Sequence, residues 1–507
     1  LLYAKWRNLD PYMLDFAKQA RTAEELLAGG FHYSMTYYAY IYAGFNSLLF
    51  VPYLLTRSIA VNLFIHVFGM TAAIPLLYRL ARRVLPGISL PLAIAVLYAL
   101  NPSINMITLG MFRGEALWIV AFLFCVSFLQ QNKIPGAIVA ASLAMFIRAD
   151  SIPIFFLFGA TLWLQRKKRL GKIAMVHALL MIVFLVGAML IIYAITGTPP
   201  VMDQFHINRI VEGESASLLS RLSQTVFDIG SYRHLTAFLQ LFLLPLLAPL
   251  FLLPALPPIA FIVLSYSSFQ AIPLVHELLT PDNPLIPLLH VHDTFLFPIL
   301  FVAAIYGLAK LTARNTSTDF ARRFLAGAMI VGALVLHWTS ASPDVGPVPL
   351  TPWFNCDYYR QTPHAETTWK ILRSLPTDKP VLVQISLAER IYWHPQLSEI
   401  YPIYYAQTDA DTILFDLYGH SSNMPKPQLL QIERELLQRN DYGVTLFTDG
   451  LVVLKKFASR ERNPEVLAFI AEHETMLAQN LDNPYKYGFL PREQARRRVY
   501  TDTQLPK

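Results

Sequence analysis

The sequence contains few charged residues and almost no cysteine. Asp, Glu, Lys and Arg account for 15% of its 507 residues, whereas a typical soluble domain has about 25%. The two cysteines, Cys125 and Cys356, are too few and too far apart to define a disulfide framework. Together these shortages exclude a disordered chain, a secreted disulfide scaffold and an ordinary cytosolic enzyme.

Apolar residues, by contrast, make up 54% of the chain and are concentrated in long runs. A helix needs about 20 apolar residues to cross a bilayer, and shorter runs cross when they are tilted or supported by neighbours. The sequence therefore predicts an α-helical polytopic membrane protein with about ten spans, and Leu1 to Tyr3 are interpreted as the end of one more span upstream. The predicted spans are 58–78, 86–102, 115–131, 134–147, 151–165, 172–197, 235–253, 255–268, 292–311 and 322–338.

The basic residues indicate how these spans are threaded. The net charge is +7, but residues 1–338 hold 23 basic and 14 acidic residues, and residues 339–507 hold 18 and 20. Thirteen of the 23 basic residues fall in four loops on one side of the predicted membrane, which the positive-inside rule makes cytoplasmic. The positive charge is therefore a topology signal and predicts no nucleic-acid partner. The same threading makes everything after residue 339 extracytoplasmic.

Composition divides the chain into four predicted regions. Residues 1–57 form a first outer loop with amphipathic or interfacial helices, and 58–338 form the transmembrane bundle. Residues 339–456 form an extracytoplasmic α/β domain, which carries no Gly-rich phosphate loop, HExxH motif, CxxC motif or nucleophile elbow. Residues 457–507 form a charged helical tail, which makes the stretch from 339 to 507 the expected surface for protein partners.

Within the α/β domain, alternating and buried patterns predict individual elements. The stretches 381–386 and 412–419 are predicted as buried strands, and 363–375 and 426–438 as helices. Residues 443–456 are predicted as a hairpin whose turn is formed by Asp449 and Gly450, a dipeptide typical of such turns.

Acidic residues near the start of the chain are the first candidates for chemistry. Asp10 and Asp15 lie in the predicted first outer loop, where a carboxylate could accept a proton or orient an acceptor hydroxyl. Because Asp10 precedes a proline, it also suits the cap of a helix, so both interpretations stay open.

Two further clusters place charges at the ends of apolar runs. Arg113 and Glu115 open one run, and Arg148 and Asp150 stand between two short ones. Such charges are costly unless they pair or face water, which favours a functional role. The alternatives are that Glu115 stabilises a helix N-terminus and that Arg148 and Asp150 form a structural pair.

Histidines supply the last candidates. His292 lies in a His-Val-His-Asp sequence before a predicted span, and His206 and Arg209 lie in a polar outer loop. The histidine spacing lacks the one-face geometry of helical metal ligands, so a phosphate-binding role is favoured over a metal site. No spacing requires a metal cofactor, and a divalent cation stays open.

The order of several motifs resembles a known family. Residues 6–456 are similar to the prokaryotic predicted membrane proteins called domain of unknown function 2079, which in turn resemble the GT-C glycosyltransferases. The similar motifs are NLDPYMLDF, YRLARRVLP, NPSINMITLGMFRGEA, FIRADS, HVHDTFLFPILFVAAIYGL, HAETTWKILRSLPTDKPVLVQ, TILFDLYG and YGVTLFTDGLVVLKK. The sequence departs from the family at Arg113, where a His is usual, and at Arg148-Ala149-Asp150, where Lys-Glu-Asp is usual.

This resemblance implies a location and a reaction. It implies an integral protein of the prokaryotic cytoplasmic membrane that takes a sugar from a polyprenyl phosphate, with Asp10 at the position of the catalytic base. Glu115 and Asp150 would orient the reactants, and cations such as Arg113, Arg148 and His292 would neutralise the phosphate. The alternative is a non-catalytic GT-C-like subunit that docks partners in a membrane complex. A transporter ranks third, since no repeat of two halves is visible.

Overall fold

The computed structural model shows a mostly helical chain with several apolar candidate spans and a small C-terminal sheet. The chain forms two compact units, one made of Leu1–Gly30 with Asn355–Lys507 and the other of Phe31–Phe354. The structure describes residues 2–7, 53, 55–109, 115–148, 151–196, 244–253, 256–269, 295–314, 319–339, 349–352, 354, 356–391, 393–400, 409–419 and 426–478.

The helices up to residue 339 follow the predicted apolar runs closely. A short helix at Leu244–Leu247 continues into a 3-10 turn at Ala248–Leu252. In chain order the helices are α1 (Leu2–Arg7), α2 (Ile59–Val84), α3 (Ser89–Leu100), α4 (Pro102–Leu109), α5 (Glu115–Gln130), α6 (Ile134–Ile147), α7 (Ile152–Leu164), α8 (Lys168–Thr196), α9 (Leu244–Leu247), α10 (Pro257–Phe269), α11 (Leu296–Arg314) and α12 (Asp319–Thr339).

Length and composition qualify four of the described helices to cross a membrane on their own. These are α2, α8, α11 and α12, and the pair α3 and α4, bent by 49°, would make a fifth as one broken span. Shorter apolar helices occupy Ala116–Gln130, Ile134–Ile147 and Ile152–Leu164. The chain is therefore a membrane protein by its helices, while the figure of ten spans stays a prediction.

Burial separates the core of the larger unit from its lipid-facing surface. In α11, the residues from Leu296 to Ile305 are almost completely buried. Two other helices, α8 and α12, instead expose large apolar side chains, as a surface in contact with acyl chains requires. Examples are Leu180, Val183, Leu190, Ile191, Phe320, Phe324, Val331 and Val335.

The described contacts give the bundle two distinct ends. Arg83 of α2 donates hydrogen bonds to the Ser127 hydroxyl (2.8 Å) and carbonyl (3.2 Å) of α5. A Cβ atom on Gly69 would lie 3.1 Å from the backbone of Ala116, so α2 and α5 approach closely where glycine has no side chain. The two contacts, 69 with 116 and 83 with 127, advance in the same direction along both helices, so α2 and α5 run parallel. We call the end that carries Arg79, Arg82 and Arg83 the basic end, and the other end the opposite end.

The smaller unit is built on a five-stranded mixed sheet. Its strand order is β2-β1-β3-β5-β4, with β1 parallel to both neighbours and β5 antiparallel to β3 and β4. The prediction of helix 426–438 and of the hairpin is confirmed, and β2 is an addition. The elements are α13 (Pro363–Ser374), β1 (Val381–Gln384), α14 (Ile385–Ala388), β2 (Leu397–Ile400), β3 (Thr412–Asp416), α15 (Lys426–Gln438), β4 (Tyr442–Thr448), β5 (Leu451–Lys456), α16 (Asn463–Glu472) and α17 (Glu474–Ala478).

Both ends of this unit pack onto the sheet domain. Val466, Ile470 and Leu477 of α16 and α17 join the apolar core, although they belong to the stretch predicted as a tail. At the other terminus, α1 docks by a hydrogen bond of 2.9 Å from the Trp369 indole N–H to the Arg7 carbonyl. These contacts tie residues from the two ends of the chain into one unit.

Candidate functional site at the opposite end of the bundle

Arg148 is buried where α6 ends. The side chain is only 6% exposed, and its guanidinium carbon lies 4.9 Å from the centre of the Phe295 ring. The backbone carbonyl of Arg148 accepts a hydrogen bond of 2.6 Å from the Ser151 hydroxyl, which orders the turn into α7. A planar guanidinium that is next to an aromatic face and largely shielded from water favours bidentate binding of an anion such as a phosphate.

Helix ends that border three of the predicted clusters meet at Phe295. Trp118, one turn after the start of α5 at Glu115, packs edge-on against Phe295 with ring centres 4.6 Å apart. Phe295 lies directly before α11 and three positions after His292 in the sequence. Since Arg148 covers the same ring, the structure brings together the borders of 113–115, 148–150 and 290–293.

The N-terminus of α5 is set back from the beginning of α2. Ala116 packs beside Gly69, which is ten residues and therefore about 15 Å along α2 from Ile59. In the part of α2 that extends past α5, the buried His66 places its Nε2 atom 3.3 Å from the Ile107 carbonyl oxygen of α4. A helix N-terminus favours an anion, because its first N–H groups have no partner within the helix and its dipole is positive there.

The other predicted site residues fall mostly outside the described part of the chain. For Glu115 the structure gives the backbone position, as the first residue of α5. The roles of these residues therefore stay predictions. Those outside the described residues are Asp10, Asp15, Arg113, Asp150, His206, Arg209 and His292. Among the residues that the structure describes, no three His, Cys, Asp or Glu side chains come together in a way that could hold a metal ion.

A second polar group, which sequence reasoning did not find, lies at the sheet of the smaller unit. His364 in the first turn of α13 is bonded through Nε2 to Asp416 (3.0 Å) and through Nδ1 to Asp449 (2.8 Å). Asp416 ends β3, and its backbone N–H donates to the Gln384 side chain at the end of β1 (2.7 Å). The group thus lies at the carboxyl ends of two parallel strands, a common position for ligands in α/β sheets.

Local sequence explains how each member reaches this position. The Thr362 hydroxyl caps α13 by accepting the Ala365 N–H (3.1 Å), which places His364 in the first helical turn. Asp449 and Gly450 form the hairpin turn with φ of 51° and 73°. A Cβ atom at position 450 would also lie 2.4 Å from the Tyr418 ring. Both the positive φ and this close contact therefore require glycine at position 450.

Burial and two neighbouring carboxylates have opposite effects on the pKa of His364. Burial alone would lower the pKa of His364, but the carboxylates of Asp416 and Asp449 outweigh it and raise the pKa to about 10. Nearby, burial raises the pKa of Glu433 to about 8, with a further contribution from Asp416. A protonated histidine between two carboxylates stabilises the junction of α13, β3 and the hairpin. The position of Asp416 near the end of a predicted strand is visible in the sequence, but its pairing with His364 is not.

The chain belongs to the family of predicted membrane proteins DUF2079, whose family model matches residues 44–453. That match covers the helical bundle and ends within β5, the second strand of the hairpin. No curated protein matches the chain at a significant level.

Proposed function

We propose that this membrane protein is a glycosyltransferase of the GT-C type, which moves a sugar from a polyprenyl phosphate to an acceptor hydroxyl on the extracytoplasmic face. The observation that carries the proposal is Arg148, buried beside Phe295 at the end of the bundle away from the basic loops. A lipid phosphate at a membrane surface needs a cation within reach of the hydrocarbon, and arginine provides planar, bidentate recognition.

In this scheme the transfer is a single displacement at the anomeric carbon. The Asp10 carboxylate accepts the proton of the acceptor hydroxyl, whose oxygen forms a bond to the anomeric carbon while the bond from that carbon to the phosphate oxygen breaks. The electron pair leaves with the polyprenyl phosphate, and Arg148 stabilises the negative charge that develops there. The anomeric configuration is therefore inverted. Supporting roles in orienting or binding the reactants are proposed for Glu115, Asp150, Arg113, His292, Asp15, His206 and Arg209.

The proposal includes a location and a set of partners. The bundle lies in the prokaryotic cytoplasmic membrane with the C-terminal domain outside, as the thirteen basic loop residues favour. The polyprenyl chain lies along apolar helix surfaces, protein partners bind through residues 339–507, and no step requires a metal.

Two substitutions separate the chemical step from donor binding. In membranes supplied with radiolabelled polyprenyl-phosphate sugars, Asp10→Asn should abolish transfer and leave donor binding intact, because only proton acceptance is lost. Arg148→Gln should weaken donor binding by about 10- to 100-fold, the loss expected for one charge-assisted hydrogen-bonded pair. Both are measured by radiolabel transfer and by binding of the donor lipid.

Arg83→Gln is the matched control, since Arg83 is bonded to Ser127 at the basic end and should not affect transfer. Unchanged transfer in Asp10→Asn would eliminate this residue as the base. If the chain binds no lipid-linked sugar and instead copurifies with stable partners, the non-catalytic subunit is the better description.

A further inference from the structure

The turn between α7 and α8 carries a dense group of exposed basic side chains. Helix α7 begins beside Arg148 at the opposite end of the bundle, so the turn after its last residue, Leu164, lies at the basic end. We call the exposed basic residues of this turn the basic cluster. Its members are Arg166, Lys167, Lys168, Arg169 and Lys172.

No acidic residue balances the basic cluster. The stretch 151–202 contains these five basic residues and no Asp or Glu. Within the described part of the chain, no carboxylate pairs with any of the five side chains. The smaller unit shows the opposite pattern, because many of its basic residues are paired with carboxylates. These pairs are Lys379–Asp411, Arg434–Glu474, Arg439–Asp441, Lys456–Asp409 and Arg462–Glu465.

Hydrogen bonds and close packing fix the shape of this turn. The Lys167 N–H donates a hydrogen bond of 3.0 Å to the Leu162 carbonyl across Arg166, which has a φ of 66°. A Cβ atom on Gly171 would lie 2.6 Å from the Gly159 carbonyl oxygen, so α7 and α8 are in close contact directly beside the turn. The basic cluster therefore belongs to an ordered part of the fold.

The place of the cluster within α8 is electrostatically unfavourable without an anion. Lys168 and Arg169 are the first two residues of α8, and its first turn contains no acidic residue. A helix N-terminus carries a positive partial charge and N–H groups without helical partners, so cations are unfavourable there and anions are favourable. Lys168 and Lys172 also repel each other, since they are four residues apart on one helix. A bound anion would relieve both effects.

Exposed apolar residues on both sides of the cluster indicate its level in the membrane. Trp163 and Leu164 at the end of α7 are 48% and 57% exposed. After the cluster, α8 exposes apolar side chains such as Val176 and Leu180. Tryptophan is typical of the interface between hydrocarbon and water, and Lys and Arg side chains extend from there towards the headgroups. The cluster therefore lies at the level of the phospholipid phosphates.

We propose that the basic cluster binds anionic phospholipids of the surrounding membrane. The headgroup phosphate is held by the cations and by the N-terminus of α8, and the acyl chains lie along the exposed apolar surface of that helix. The excess of positive charge selects an anionic headgroup over a zwitterionic one. This site lies at the end of the bundle away from Arg148, so it does not depend on the proposed function.

Lipid binding to the detergent-solubilised full chain, measured by native mass spectrometry, tests the proposal. The probes are phosphatidylglycerol and phosphatidylcholine with identical acyl chains, so that only the headgroup charge differs. The native chain should bind phosphatidylglycerol at least about tenfold more tightly, because each nearby cation attracts an anionic headgroup. This preference should shrink as salt rises from about 0.1 M to about 1 M, since the Debye length falls from about 10 Å to about 3 Å.

Two triple variants that lose the same charge separate a site from a general effect of net charge. The cluster variant should lose most of the preference and keep or raise its Tm in phosphatidylcholine nanodiscs, because the repulsion within the cluster is reduced. It combines Lys167→Gln, Lys168→Gln and Arg169→Gln. The dispersed variant should keep the preference, because it removes exposed cations from three other loops of the basic end. It combines Arg79→Gln, Lys133→Gln and Arg323→Gln.

A single substitution keeps the test valid if the cluster variant does not fold. Lys167→Gln changes an exposed residue between the two helices and should reduce the preference by up to about fivefold. The conservative Lys167→Arg retains the charge and should retain the preference.

Three results would overturn the proposal, and none of them affects the role proposed for Arg148. The native chain could bind the two lipids equally well, or the cluster variant could keep the full preference. Equal losses in the cluster and dispersed variants would show that only the net charge of the basic end matters. If the lipids bind equally and an acidic protein copurifies with the native chain but not with the cluster variant, the turn is a protein interface instead.

Discussion

His364 shows how a single residue acquires properties that its local sequence does not reveal. The residues before it explain its place in the first turn of a helix, but its carboxylate partners follow 52 and 85 residues later. Periodicity predicts each element separately and cannot predict that three elements meet at one imidazole. Arg148 was easier to recognise, because a charge between two apolar runs is conspicuous in the sequence alone.

The raised pKa of His364 predicts how stability depends on pH. Its ordinary value is 6.5 and its value in the folded chain is about 10, so its contribution to the free energy of unfolding is present below pH 6.5 and is lost as pH rises through 10. The amide protection factors of β1 and β3 in the detergent-solubilised chain, which are corrected for the intrinsic pH dependence of exchange, should therefore fall over this interval. In His364→Gln, the protection factors should be lower at pH 6 and should change less between pH 8 and 10.

The range from pH 8 to 10 separates the effect of His364 from that of Glu433. Glu433, whose pKa rises from 4.5 to about 8, loses its contribution mainly between those two values. An equal loss of protection between pH 8 and 10 in the native chain and in His364→Gln would contradict the assignment.

Among the elements, those with strong local signals were predicted well. Helix 426–438 has the bounds of α15, and the predicted hairpin turn at Asp449 and Gly450 has the positive φ values that its residues favour. Strand β2 was missed because two polar residues separate the apolar residues of Leu397–Ile400, whereas β1, of the same length, begins with three consecutive apolar residues. Its place at the edge of the sheet is fixed by pairing with β1.

Helix α1 is held on the sheet domain by contacts of its last two residues, Trp6 and Arg7. Trp6 lies under the Arg390 guanidinium at 4.1 Å, and Arg7 donates to the Gln361 side chain. These contacts, with the hydrogen bond from Trp369, should protect the peptide bond after Arg7 from trypsin.

Trp369→Phe tests this docking, because it removes the N–H donor and keeps most of the ring. Trypsin cleavage after Arg7 should become up to about tenfold faster, the effect of one net hydrogen bond on local opening. The matched control is Trp393→Phe, which changes a partly exposed ring of the same domain. Equal cleavage rates in all three proteins would show that the Trp369 hydrogen bond contributes nothing to docking.

For the whole molecule, composition predicted the class of protein because apolar runs and basic loops are properties of long segments. The membrane character is confirmed by the family match and by the four long apolar helices. The number of spans is harder to predict from sequence, because short helices such as Ile134–Ile147 cross only with support from neighbours.

The two cysteines offer a direct measurement of the proposed topology. Cys356 is exposed and Cys125 is buried in α5. A membrane-impermeant maleimide added to intact cells should therefore label Cys356 and leave Cys125 unmodified until the protein is denatured. Labelling of Cys356 only after the membrane is permeabilised would place this domain in the cytoplasm and overturn the proposed orientation.

The docking of α1 also has a consequence for synthesis. Arg7 and its partner Trp369 are separated by 362 residues, so at translation rates of about 5–20 residues per second the partner follows roughly 20–70 s later. During that delay Trp6 has left the ribosome without the surface that will bury it. The smaller unit can therefore reach its final packing only after the whole bundle has been synthesised, which makes Trp6 a natural contact for chaperones on the nascent chain.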